Sequence, residues 1–294
     1  MIYLMPWPLE WHRLAKLKLW VRVPPVSFIK YGNEVVLMCE LFGVNTPRKI
    51  QLNHLLDVFF SHGDKHPHGW GMAFFENGTV QMEKQAVSST KSARLREYRS
   101  RKIMSDRMIA HIRLATKGNM EYENCHPFIR MDEMGRMWTL AHNGTIFEGE
   151  MLDSYFYIQE GQTDSERILY LLTDRMNDRY RETGYPLDAS ERFRVLDDLI
   201  CELADGNKLN LMFFDGEYFY VHTNCRNSLY LSRRQGGYVF STVPLDEREW
   251  KPLPLNTLLA FRDGKWMRTG TEHGYEYVED PEKMRLLFLD YSTL

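Results

Sequence analysis

Four cysteines in 294 residues, Cys39, Cys125, Cys201 and Cys225, stand far apart. None belongs to a C-x-x-C pair or a His-rich tract, which argues against a zinc site and against a disulfide framework. Neither a metal nor any other cofactor is expected, and the reducing cytoplasm is the expected location. Apolar runs are short as well. None approaches the roughly 20 residues of a membrane-spanning helix, so no membrane is expected as a partner. Charge of one sign is also missing: 37 Lys and Arg face 40 Asp and Glu, a net of −3, which gives no global pull toward nucleic acid. Synthase, kinase and nucleotide-binding motifs are absent.

Residues 1–37 differ in composition from the rest. They carry Trp7, Trp11 and Trp20 of seven tryptophans and four of twelve prolines. A secretory signal needs an uninterrupted apolar centre, and here Arg13, Lys16, Lys18 and Arg22 interrupt it. A basic surface helix would stop at Pro24-Pro25. Glu34-Val35-Val36 can be encoded by a purine-rich stretch resembling a ribosome-binding sequence just ahead of Met38. Met38 therefore reads as an initiator whose removal exposes the small residue Cys39, with a cleaved propeptide as the alternative. Residues 1–38 are expected to be a non-native or removed extension, and residues 39–294 one domain.

From Cys39 onward, alternating apolar residues and turn pairs such as Asn77-Gly78, Asp215-Gly216, Gly236-Gly237 and Asp263-Gly264 predict many hairpins. Helices are predicted over 50–60, 92–104, from Thr163-Asp164-Ser165-Glu166 onward, and over 190–203. The third opens with capping-box spacing, followed by Ile168, Leu169, Leu171, Leu172 and Met176 at helical intervals. Hairpins with a few helices imply an α+β fold of two antiparallel sheets covered by helices.

A cysteine at a free N-terminus carries its own base, because an α-amine of pKa about 8 lies within reach of a thiol of pKa about 8.5. Cys39 in such a role needs company, and six short segments supply it. CELFGV at 39–44, GWGMAFF at 69–75, HIRLATKG at 111–118, ENCHPF at 123–128, AHNGTI at 141–146 and GQTDSE at 161–166 occur in this order. Together they closely resemble the class II glutamine amidotransferases, N-terminal-nucleophile hydrolases, and among them the stand-alone, single-domain members. The resemblance implies a four-layer αββα sandwich of two antiparallel sheets flanked by helices.

It also implies roles. Cys39 would be nucleophile and base in one residue. Asn143, through its side-chain amide, and Gly144, through its backbone N–H, would form the oxyanion hole. Arg113 would grip the substrate carboxylate with Thr116 beside it, and Asp164 would receive the substrate ammonium. The match departs from the family at Lys117, where histidine is common, and at His68, where aspartate is common. His62, His66 and His68 read as polar loop surface, His126 as structural, and Cys125 and Cys225 as buried thiols.

The activity implied is hydrolysis of a γ-glutamyl amide, glutamine or a γ-glutamyl conjugate, through a Cys39 thioester, giving glutamate and ammonia or an amine. The partner expected besides this small-molecule substrate is a separate ammonia-accepting synthase or peptidase subunit. Loops 61–68 and 117–124 are expected to select the leaving group. A non-catalytic binding or regulatory subunit of the same fold, with Cys39 blocked, is the alternative.

Overall fold

The structure, a computed structural model, describes residues 38–280 except Asn77 and Lys117, and the backbone alone of residues 29–31 and 34–36. The extension before residue 29, Lys117 and the Asn77 half of the first predicted turn lie outside the described residues. Strands β1 (Ile29–Tyr31) and β2 (Glu34–Val36) pair only with each other. There follow β3 (Glu40–Gln51), α1 (Asn53–Ser61), β4 (Trp70–Glu76), β5 (Thr79–Gln85), α2 (Ala93–Arg99), β6 (Met104–Ile112), β7 (Phe128–Met131) and β8 (Met137–Thr145). The second half comprises α3 (Asp164–Thr183), α4 (Ala189–Leu203), β9 (Lys208–Phe214), β10 (Phe219–Thr223), β11 (Tyr230–Arg234), β12 (Gly237–Ser241), β13 (Lys251–Pro252), β14 (Leu259–Arg262) and β15 (Lys265–Thr269).

Two larger antiparallel sheets result, one ordered β13-β11-β12-β3-β6-β4-β5 and the other β15-β14-β10-β9-β8-β7. Period-two side chains explain how they stack. On β3, Phe42 and Val44 face α1 and α2, where Leu55, Leu56, Phe59, Phe60 and Leu95 meet them, while Leu41 points to the other sheet. On β9, Leu209, Leu211 and Phe213 face α3 and α4, while Met212 and Phe214 join Leu41, Ala73 and Ile109 between the sheets. Three apolar layers thus separate helices, sheet, sheet and helices, the αββα order that the resemblance implied. Among the described residues, no helix is long and apolar enough to cross a membrane.

Some boundaries differ from those predicted. β3 continues to Gln51 across a register shift between Asn45 and Ile50, so the first helix starts only at Asn53. The predicted helix over 92–104 closes after two turns at Arg99, because β6 already begins at Met104. β7 was not predicted. At the start of α3 the box is half formed: Thr163 accepts from the Glu166 N–H, but the Glu166 carboxylate turns back to the N–H groups of Glu160 and Gly161 at 2.7 and 2.9 Å. The complete capping box stands at α4, between Asp188 and Glu191.

Candidate active site

Cys39 lies one residue before β3, and Arg113 one residue after β6, at one end of the seven-stranded sheet. The Cys39 thiol donates to the carbonyl of Leu114 at 3.0 Å, and the Leu114 N–H points back at the sulfur at 3.2 Å. Burial pushes the thiol pKa up, more than that N–H and the positive charges of Arg113 and Lys208 pull it down. A thiol so placed stays protonated near neutrality unless a base takes its proton.

β8 of the facing sheet brings Asn143 across. Its side-chain amide donates to the main-chain carbonyl oxygen of Cys39, and its Oδ1 is buried without a partner. The next residue has to be glycine. A Cβ on Gly144 would stand 1.9 Å from the carbonyl oxygen of Lys208 on the paired strand and 2.3 Å from Nε2 of His142, contacts that no side chain tolerates. His142 is itself pinned below the strand, with Nδ1 at 3.0 Å from Ser165 Oγ and Nε2 at 3.0 Å from the Lys208 carbonyl.

The remaining predicted residues ring this point. Arg113 is buried, and its guanidinium donates to the carbonyls of Gly118 at 2.9 Å and Asn119 at 2.8 Å, so it shapes the following loop. Thr116 Oγ1 lies 3.5 Å from Thr145 Oγ1 at the end of β8. Asp164, in the first turn of α3, is buried and its Oδ2 accepts from the Ile146 N–H at 2.8 Å. β3, β6, β8 and α3 therefore converge, and Cys39, Arg113, Thr116, Asn143, Gly144 and Asp164 belong to one neighbourhood.

Several participants were not found in the sequence. The loop after Arg113 is tied to the turn before α3: Asn124 Nδ2 and the Asn119 N–H both donate to Gln162 Oε1, at 2.7 and 3.0 Å. His68, expected at the surface, is half-buried and accepts from the Ala115 N–H through Nδ1 at 2.9 Å. Burial and the nearby Arg113 lower its pKa, which keeps Nδ1 free to accept. His66 is 1% exposed, with Nε2 at 2.6 Å from the Met38 carbonyl oxygen, and His62 holds Glu40 at 2.7 Å. Neither of these two is loop surface. Lys208 and Glu279, both buried, pair at 2.8 Å and bring the segment after β15 back to the site. His126 and Cys125 are buried, the former with neither ring nitrogen paired.

A family model for class II glutamine amidotransferases matches residues 38–240. The chain is 30% identical over 257 residues to the uncharacterized protein MJ1515 of Methanocaldococcus jannaschii, covering 78% of this chain and 70% of that one. To YafJ of Escherichia coli, whose name assigns it provisionally to the glutamine amidotransferases, it is 31% identical over 215 residues, 70% of this chain and 80% of that protein. Among solved structures, a protein of Pseudomonas aeruginosa PA01 assigned by prediction as a glutamine amidotransferase superposes with a TM-score of 0.56 at 22% identity, over 78% of this chain and all of that one. Glutamine phosphoribosylpyrophosphate amidotransferase of B. subtilis gives 0.56 at 15% identity, over 79% of this chain and 48% of that chain. At these identities the two superpositions establish the fold.

Proposed function

The chain belongs to the class II glutamine amidotransferase family, and from that premise we propose that it hydrolyses a γ-glutamyl amide through a thioester on Cys39. The observation that carries this reading is the meeting of Cys39 with Asn143 across the two sheets. A nucleophile needs an adjacent donor for the oxyanion, and the two best candidates for those roles are in contact.

With Met38 removed, the Cys39 α-amine takes the proton of a thiol that burial keeps protonated. Sγ attacks the γ-carbonyl carbon, and the oxygen gathers negative charge. The Asn143 Nδ2 has two hydrogens. One engages the Cys39 carbonyl, and the other, with the Gly144 N–H, serves the oxyanion. The C–N bond breaks as the ammonium of Cys39 returns the proton to the leaving nitrogen, and water then hydrolyses the thioester to glutamate. Arg113 and Thr116 take the α-carboxylate, and Asp164 takes the α-ammonium. Ammonia or an amine leaves, for a synthase or peptidase subunit on a separate chain. The free thiols of all four cysteines fit a reducing cytoplasm.

An acylated nitrogen is no base, so a chain that retains Met38 is expected to be inactive, which is the form in which the non-catalytic reading would apply. A diazo-ketone analogue of glutamine tests the assignment. In protein beginning at Cys39 it should label Cys39 alone, and Cys39→Ala should abolish labelling and glutamate release while leaving the fold intact. Labelling at Cys125, Cys201 or Cys225 would sink the proposal.

A further inference from the structure

His66 lies against the peptide bond that precedes Cys39. Its Nδ1 stands 2.8 Å from the His62 carbonyl oxygen and its Nε2 2.6 Å from the Met38 carbonyl oxygen. That second carbonyl belongs to the peptide whose nitrogen is that of Cys39. Once Met38 is gone, Nε2 is aimed at the space beside the α-amine. Both carbonyls only accept, so while Met38 is present each ring nitrogen faces an acceptor. With Met38 removed only the His62 carbonyl remains, Nδ1 keeps the proton it donates there, and a ring with that single proton has Nε2 as an acceptor. Glu40 lies alongside, its Oε2 2.7 Å from His62 Nδ1 and its Oε1 3.9 Å from His66 Nε2.

Resting on the reading of Cys39 as an N-terminal nucleophile, we propose that His66 is a positioning residue for the Cys39 α-amine. Its Nε2 accepts one amine N–H and so turns the nitrogen lone pair toward Sγ. When the amine takes the thiol proton, the same acceptor stabilises the ammonium that forms. The proton passes from thiol to amine to leaving nitrogen and is not taken up by His66. The charged and titratable groups around this point are Glu40 on β3, His62 and His68 between α1 and β4, His111 and Arg113 on and just after β6, and Lys208 on β9. A neutral acceptor favours the ammonium over the amine, so it raises the pH at which the amine becomes a base while making that base better oriented.

The test uses a chain beginning at Cys39. Among the described residues β1 and β2 belong to neither large sheet, and every strand of the sandwich and every helix named above follows Cys39, so this chain keeps both large sheets and their helices. Single-turnover release of p-nitroaniline from γ-glutamyl p-nitroanilide is followed against pH. His66→Ala should lower the high-pH plateau about tenfold or more and move the acid limb to lower pH. His66→Gln, whose amide oxygen reaches the Nε2 position, should restore much of the plateau. Where His66→Ala does not fold, His66→Asn retains a donor for the His62 carbonyl, lacks an acceptor at Nε2, and is read in the same way. An unmoved acid limb and plateau in the folded variant overturn the inference. So does a His66→Gln protein as impaired as His66→Ala with an unmoved limb, the mark of a structural role. If the parent chain does not acylate Cys39, the proposed function falls and this inference with it; if it does acylate and the variants match it, the inference alone falls.

Discussion

The side-chain amide of Asn143 donates to the main-chain carbonyl of Cys39, a residue 104 positions earlier in the chain. Cys39 sits at the mouth of one sheet and Asn143 near the end of β8, one strand in from the edge of the other. The bond therefore fixes the separation of the two sheets at the point where chemistry is proposed. It also fixes the carbonyl of the nucleophile, and through it the direction of the Cys39 main chain.

Removing that amide should affect rate more than binding. In Asn143→Ala protein beginning at Cys39, kcat is expected to fall about a hundredfold or more with a smaller change in KM, because the donor acts on charge that develops only in the transition state. Slow thioester hydrolysis distorts KM, so single-turnover acylation is the better measurement. Asn143→Ala acylating at the parent rate would mean that the amide only ties the sheets together.

The substrate's amino-acid end gives a second prediction. Arg113→Ala removes a guanidinium that holds the carbonyls of Gly118 and Asn119, so the proposed substrate grip and the loop shape are both expected to be lost. Asp164→Asn is cleaner, because its remaining side-chain oxygen can still accept from the Ile146 N–H while the countercharge to an ammonium is gone. Each should lower kcat/KM by roughly 2 to 4 kcal/mol. For Asp164→Asn the melting temperature should stay near that of the parent. Parent-like acylation in both variants with every γ-glutamyl substrate tried would make these residues structural.

The sandwich was legible because its evidence is local: β3, β4, β6 and β9 alternate apolar residues to opposite faces, and turn pairs mark the β4–β5, β9–β10, β11–β12 and β14–β15 hairpins. The grouping of Cys39, Arg113, Asn143 and Asp164 came from short motifs in a fixed order. What could not be read depends on distance in space. His66 sits in a polar, glycine- and proline-containing loop whose composition reads as surface, yet α1 and β3 close over it. Lys208 and Glu279 are 71 residues apart, and nothing in either neighbourhood announces a buried ion pair. Glu166 was misread for the opposite reason: the spacing from Thr163 was correct, but two closer N–H groups compete for its carboxylate.

The buried histidines make stability depend on pH in a direction that can be worked out. His111 and His126 are held well below the ordinary imidazole pKa, first by burial and then by neighbouring positive charge, and His222 is lowered to about 3, again mainly by burial. Hydrogen bonding agrees for His222: its Nδ1 meets the Leu209 carbonyl at 3.1 Å, so its Nε2 is left as acceptor toward His273 Nε2 at 3.0 Å. A folded pKa below the unfolded value means that the unfolded chain binds the extra proton. Stability from these groups is complete above about pH 6.5 and is lost as pH falls below it, by about 1.4 kcal/mol per pH unit for each histidine. The melting temperature should therefore change little between pH 7.5 and 6.5 and fall between about pH 6.5 and 5.5, a window above that of ordinary carboxylates. His222→Asn, whose amide can still donate to Leu209, should flatten that slope by roughly the share of one titrating group. A melting temperature equal at the two ends of that window would mean that these rings are either reached by water or already charged in the folded chain.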